Sequence, residues 1–109
     1  MPAYLLQVAY TPQALSALIA EPHDRTQALK KNVKKLGGRM VGSWFTFGEY
    51  DLVVIMEFPD NVSAAAWALA IGAGGALRSV KTTPLLSIEE GLEAFKKVPE
   101  SGYKSIVAS

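Results

Sequence analysis

The sequence predicts one α+β domain in the order β-α-β-β-α-β, with a further helix behind it. Three observations carry this. The chain has 109 residues, the size of a single domain. Its apolar residues switch between a strand period and a helix period. Each switch falls at a Pro, a Gly or a capping residue.

Ala3 to Tyr10 is rich in aromatic and aliphatic residues and reads as a strand. Thr11-Pro12 then opens a helix, with Thr as N-cap and Pro in the first helical position. Ala14, Leu15, Leu18 and Ile19 share one helical stripe, and Pro22 interrupts it. Helix resumes near Asp24 with Leu29, Val33 and Leu36 as its apolar stripe, and Gly37-Gly38 ends it. Arg39 to Phe47 and Tyr50 to Phe58 are two more strands, joined at Gly48-Glu49 by the signature of a type II′ hairpin turn. Asp60 caps a helix from Asn61 to about Ile71, which the glycine cluster stops. Ala76 to Leu86 is the fourth strand, with Pro84 marking it as an edge. Ser87-Ile88-Glu89-Glu90 matches a capping box and opens a last helix carrying Leu92, Phe95 and Val98. This is the ferredoxin-like pattern, with both crossover helices on one side of an antiparallel sheet. The domain spans 1–98, and 99–109 reads as a C-terminal tail.

Composition narrows the function classes. Half of the residues are hydrophobic and 19% are charged, a globular balance. A formal charge of +1 supplies no field for nucleic acid or anionic lipid. No cysteine means no disulfide and no thiolate metal site, as in a reducing cytoplasm, where the chain is expected. The most apolar stretch, Val62 to Leu77, is broken by glycines and too short to span a membrane. The start, Met1-Pro2-Ala3-Tyr4, lacks the basic opening of a secretory signal.

A two-residue turn at Gly48-Glu49 fixes the hairpin register, pairing Phe47 with Tyr50, Phe45 with Leu52, Trp44 with Val53 and Gly42 with Ile55. Alternation then puts Val41, Phe45, Phe47, Tyr50, Leu52, Val54, Met56 and Phe58 under the helices, joined by Tyr4, Leu6, Val8 and Tyr10. Met40, Trp44, Asp51, Val53, Ile55 and Glu57 share the other face with Leu5, Gln7 and Ala9. That face is too apolar for open water, so a second subunit is expected to cover it. A cavity between two such sheets would be lined by Gln7, Trp44, Asp51 and Glu57. Arg78 would join them if its strand has the right phase.

Phe47-Gly48-Glu49-Tyr50-Asp51-Leu52-Val53-Val54, following Gly37-Gly38-Arg39, resembles the GYD-domain family, whose Gly-x-Tyr-Asp signature stands here as Gly48, Tyr50 and Asp51. The pattern extends over roughly Tyr4 to Glu90. The resemblance implies a dimeric α+β barrel and carries no common reaction with it. Related barrels include haem-degrading and cofactor-free monooxygenases, isomerases and ligand-binding domains of Lrp/AsnC-type regulators, so the fold selects no activity.

Asp51 is the weak catalytic candidate, a base or cation-binding carboxylate; the competing reading makes it a cap that holds the hairpin. Tyr50 is either a hydrogen-bonding anchor or a packing residue, and Trp44 either stacks on a planar ligand or fills the dimer interface. Trp67, on the Ala-rich helix, reads as core or interface. Asp51 and Glu57 lie about 20 Å apart along one strand, too far to cooperate within one subunit. His23, the single histidine, sits at a helix break without partners of metal-ligand spacing, so no metal is expected. Lys30, Lys31, Lys34, Lys35 and Arg39 read as a solvated helix face with its flank.

The leading expectation is a module that binds a small ligand or a partner at an inter-subunit cavity, with Gln7, Trp44, Tyr50 and Asp51 as contacts and Gly48 shaping the turn. No cofactor, nucleic acid or membrane is expected, and the partner is a second copy of the chain. The rival is a small cofactor-independent oxygenase or isomerase. A third reading is a structural oligomer whose cavity its own side chains fill.

Overall fold

The computed structural model describes residues 1–107. Its elements are β1 (Ala3–Tyr10), α1 (Pro12–Ala20), α2 (Arg25–Lys35), β2 (Arg39–Phe45), β3 (Leu52–Glu57), α3 (Asn61–Ala73), β4 (Leu77–Leu85) and α4 (Ile88–Lys97), with a 3₁₀ turn at Val98–Ser101. The sheet is antiparallel in the order β2-β3-β1-β4. This is the ferredoxin-like α+β fold, with β4, the strand of Pro84, at one edge. The last two residues of the expected tail lie outside the described residues.

Local chemistry sets the helix starts. The side chains of Thr11, Asp24 and Asp60 accept from Ala14, Thr26 and Ser63 N–H. Ser87 and Glu90 complete a reciprocal capping box. Gly37 ends α2 at φ +77°, a conformation that favours glycine. Gly38 has another reason: a Cβ there would stand 2.6 Å from the Phe58 ring and 2.8 Å from the Glu57 carbonyl oxygen.

The core lies between the sheet and α2 and α3. Tyr4, Leu6, Val8 and Tyr10 of β1 meet Leu52, Val54, Met56 and Phe58 of the third strand and its exit, with Val33, Ala64 and Trp67 above them. That is the helical face the alternation predicts for these two strands.

The second strand departs from expectation. Phe45–Leu52, Trp44–Val53 and Gly42–Ile55 pair as predicted, but a bulge at Val41 shifts the rest, pairing Met40 with Met56 and Arg39 with Glu57. Met40 therefore turns to the core and Val41, expected beneath the helices, is 51% exposed. Beyond Phe45 the ladder stops. Both strands are shorter than expected, and the tight two-residue turn is replaced by a wider loop. Thr46 N–H donates to the Asp51 carbonyl (2.8 Å) and Thr46 Oγ1 to the Tyr50 carbonyl (2.7 Å). Phe45 and Phe47, expected in the core, are exposed, and Tyr50 is half-buried outside it. The physical reason is cover: the core groups beneath the helices stop short of the hairpin tip.

The molecule is elongated, 59 × 32 × 22 Å, with a radius of gyration of 17.6 Å. A compact chain of this length would have about 13 Å. The amphipathic α4 has no buried residue. Ile88, Leu92 and Phe95 (72% exposed) form an apolar stripe with nothing over it among the described residues.

Candidate functional site

The sheet register lays out the expected site. Trp44 pairs with Val53, Val53 with Gln7, and Gln7 with Lys81, so the four form one row across the open face. At about 4.8 Å per strand, Trp44 and Gln7 are roughly 10 Å apart along that row. Trp44 folds back along its strand: a Cβ on Gly42 would meet its ring at 2.8 Å. The indole is 56% exposed and presents a flat apolar surface beside Gln7, Val53 and Ile55, all half-buried.

Asp51 anchors the hairpin. Its Oδ2 accepts the Tyr10 N–H at 2.8 Å, and its own N–H donates to the Val8 carbonyl at 2.8 Å. The side chain thus takes the place of a backbone carbonyl at the frayed end of β1. The acceptor role of the capping reading is present, with the Tyr10 backbone N–H as the donor. Gly48 stands at φ +140°, where glycine is favoured, and nothing lies within 4 Å of a Cβ built on it. Its need is conformational and not one of space. Arg78, whose phase the sequence left open, donates from Nη2 to the Glu49 carbonyl at 3.3 Å and ties the loop to β4.

The remaining candidates separate. Glu57 is paired with Arg39, Nη2 to Oε1 at 2.7 Å and Nε to Oε1 at 3.1 Å, at the far end of β3 from Asp51. Arg39 is thereby removed from the basic run. His23 is exposed, its Nδ1 2.8 Å from the Glu21 carbonyl oxygen. Among the described residues no group of three or more His, Cys, Asp or Glu could hold a metal ion. No described helix is long and apolar enough to cross a membrane.

A groove of about 740 Å³ wraps the free edge of β2, bringing Trp44 and Asp51 together with Tyr10, Ser43, Leu18 and Ile19. Gln7 lies outside it. The sequence held no signal for this grouping, because it joins residues of both sheet faces around an edge strand.

The Tyr10 hydroxyl is pushed above its ordinary value, first by burial, then by the Asp51 carboxylate, with Arg25 opposing. The folded state therefore holds this proton where the unfolded chain, titrating near 10, releases it. The associated stability is complete below about pH 10 and is lost as pH rises through the folded value. Asp51→Asn should lower the Tyr10 titration, read by tyrosinate absorbance, and shrink the alkaline loss of stability. An unchanged titration would remove Asp51 as the electrostatic cause.

No curated protein matches the chain. A solved structure, the crystal structure of FFRP-DM1, is similar at a TM-score of 0.51 and 14% identity, over 79% of this chain and 100% of that one. That likeness speaks for the fold alone. Residues 4–95 match the GYD domain family, covering every strand and nearly all of α4. The chain belongs to the GYD-domain family.

Proposed function

We propose that this GYD-domain chain works as a homodimer that binds a small molecule between its subunits. One observation carries the reading: two apolar surfaces, the open sheet face and the α4 stripe, lack a cover within the described chain. A second copy fits both. The sheet face offers Leu5, Val53, Ile55 and Trp44; α4 offers Ile88, Leu92 and Phe95. Charge complements shape, since Glu89 and Glu93 lie on α4 while Lys81 lies on the sheet. A stable pair needs about 800 Å² buried per subunit, which a sheet face with an embracing helix can supply. In such a pair the row of Gln7 and Trp44 lies inside, with the Tyr50 and Asp51 hairpin at its rim. Binding is favoured over catalysis by Asp51 as base, because one carboxylate oxygen is already committed to the Tyr10 N–H.

Sedimentation tests the dimer. The chain should run at twice its 11.7 kDa mass, and Leu92→Asp with Phe95→Asp should return it to a monomer that keeps its circular dichroism. In a Trp67→Phe background, Trp44 emission should move to shorter wavelength as concentration passes the dimer dissociation constant. Native mass spectrometry should find a retained small molecule on the dimer and none on the double variant. A monomeric parent chain would sink the proposal, and a dimer with no bound mass would sink its ligand.

A further inference from the structure

Strand β2 lies at one edge of the sheet and pairs on one side, with β3. The backbone groups along its other side have no strand beside them. Proteins blunt such edges with charge, proline or a bulge. The opposite edge, β4, carries Arg78, Lys81 and Pro84. On β2, Arg39 and the bulge at Val41 protect one end, but Gly42-Ser43-Trp44-Phe45 beyond them holds neither charge nor proline. Trp44 and Phe45 are exposed there, and the exposed Ile19 of α1 lines the same groove. An open edge with uncovered apolar side chains is a template for an added strand.

The chain carries a segment that fits. Gly102, at φ +67°, ends the 3₁₀ turn and releases Tyr103-Lys104-Ser105-Ile106-Val107. Tyr, Ile and Val favour strands. All three are exposed here, and the N–H groups of Tyr103 and Val107 are held only by Ser101 and Ser105 close by. Five extended residues span about 17 Å, the length of Val41 to Phe45. Charge also matches. The one charge of the segment is Lys104, and the charged residues lining the groove are Asp24 and Asp51, without Lys or Arg. In its own subunit the segment follows β4 and α4, on the far edge of the sheet from β2. A two-fold axis running along the strands puts the partner's β4, and the segment beyond it, across from β2.

We propose that residues Tyr103–Val107 of each subunit add as an extra strand to the β2 edge of the other, closing the inter-subunit cavity beside Trp44. This rests on the dimer proposed above. In an antiparallel register centred on Ser43 and Ser105, Tyr103 faces Phe45, Lys104 faces Trp44 and Ile106 faces Gly42. Lys104 and Ile106 then flank the Trp44 ring on the open face, where an ammonium group is attracted to the indole. Tyr103 covers Phe45 on the helical side.

The chain has no cysteine, so disulfide trapping tests this cleanly. Ser43 and Ser105 are each the middle of five residues, and they stay opposite whichever way the added strand runs. Full-length Ser43→Cys and Ser105→Cys chains, mixed and oxidised, should join into a species of twice the chain mass, and neither should do so alone. Ser79→Cys on the β4 edge, mixed with Ser105→Cys, should stay unlinked. Ile106→Asp with Val107→Asp should weaken the dimer about tenfold in sedimentation with unchanged circular dichroism. The exchange would be overturned, with the dimer left standing, by a dimeric chain that gives no link between positions 43 and 105. An equal link to position 79, or a link that closes within one chain carrying both Ser43→Cys and Ser105→Cys, would overturn it in the same way. A monomeric parent chain would overturn the exchange and the dimer together.

Discussion

Phe58→Ala should remove about 3–5 kcal/mol of folding stability, the largest loss expected for a single substitution in this chain. Phe58 is 1% exposed and sits where β3 leaves the sheet for α3. Its ring meets Tyr4 edge-on, with centroids 6.1 Å apart and planes at 63°. The α2–β2 turn is closed onto the same ring at Gly38. Truncation would open a cavity touching β1, the α2–β2 turn and the start of α3 together. A domain of this size has about 5–15 kcal/mol in all, so the variant should be near its unfolding midpoint in mild denaturant. Urea unfolding measures it. A cost under about 1.5 kcal/mol would mean that the turn collapses into the space and that the ring is not the keystone of this end.

Gly38→Ala should cost about 1–3 kcal/mol from the opposite cause, too much matter where the ring already stands. The new methyl would lie 2.6 Å from two ring carbons of Phe58 and 2.8 Å from a backbone oxygen. The ring is fully packed and the carbonyl belongs to β3, so neither can give cheaply. Gly38 φ lies outside the glycine-favouring region, so the penalty is steric alone. A double-mutant cycle isolates the contact: Phe58→Leu should offset part of the Gly38→Ala loss. Strict additivity would show that the methyl is accommodated elsewhere.

The same position shows how far the sequence could be read. Gly37-Gly38 marked the end of α2, since helix termination is a local event. The sequence did not say that the two glycines have different reasons, one a φ of +77° and the other the ring of a residue twenty positions later. Caps at Thr11, Asp60 and Ser87 were legible for the same reason, each being a contact within three residues. The inward faces of β1 and β3 followed from alternation because both strands are central and one side of each is covered.

The edge strand was less legible. One extra residue at Val41 reverses the faces of Met40 and Val41 without changing the hydrophobic count. The sequence there, Met-Val-Gly, is apolar on both phases, so alternation had no preference to express. The register nearer the loop survived because its pairing begins at Thr46 and Asp51, whichever shape the loop takes. Asp51 was marked as the residue to watch, but its donor, the Tyr10 N–H, lies 41 positions away and is set by how β1 frays beside the hairpin. The groove around β2 had no sequence signal, being a space left between elements rather than residues in a pattern.

The amino-acid order by itself determined where each helix starts, which sides of the central strands go inward and that the chain is an α+β domain, because hydrogen bonds and periodicity over a few residues decide these; its likeness to the GYD family was carried by the motif at Gly48, Tyr50 and Asp51. Only the tertiary structure decided the bulge and, among the described residues, the burial of an indole N–H without an acceptor and an α4 whose apolar stripe is uncovered. Those depend on how distant elements meet, and volumes and close approaches between them are not written in the order of residues along the chain.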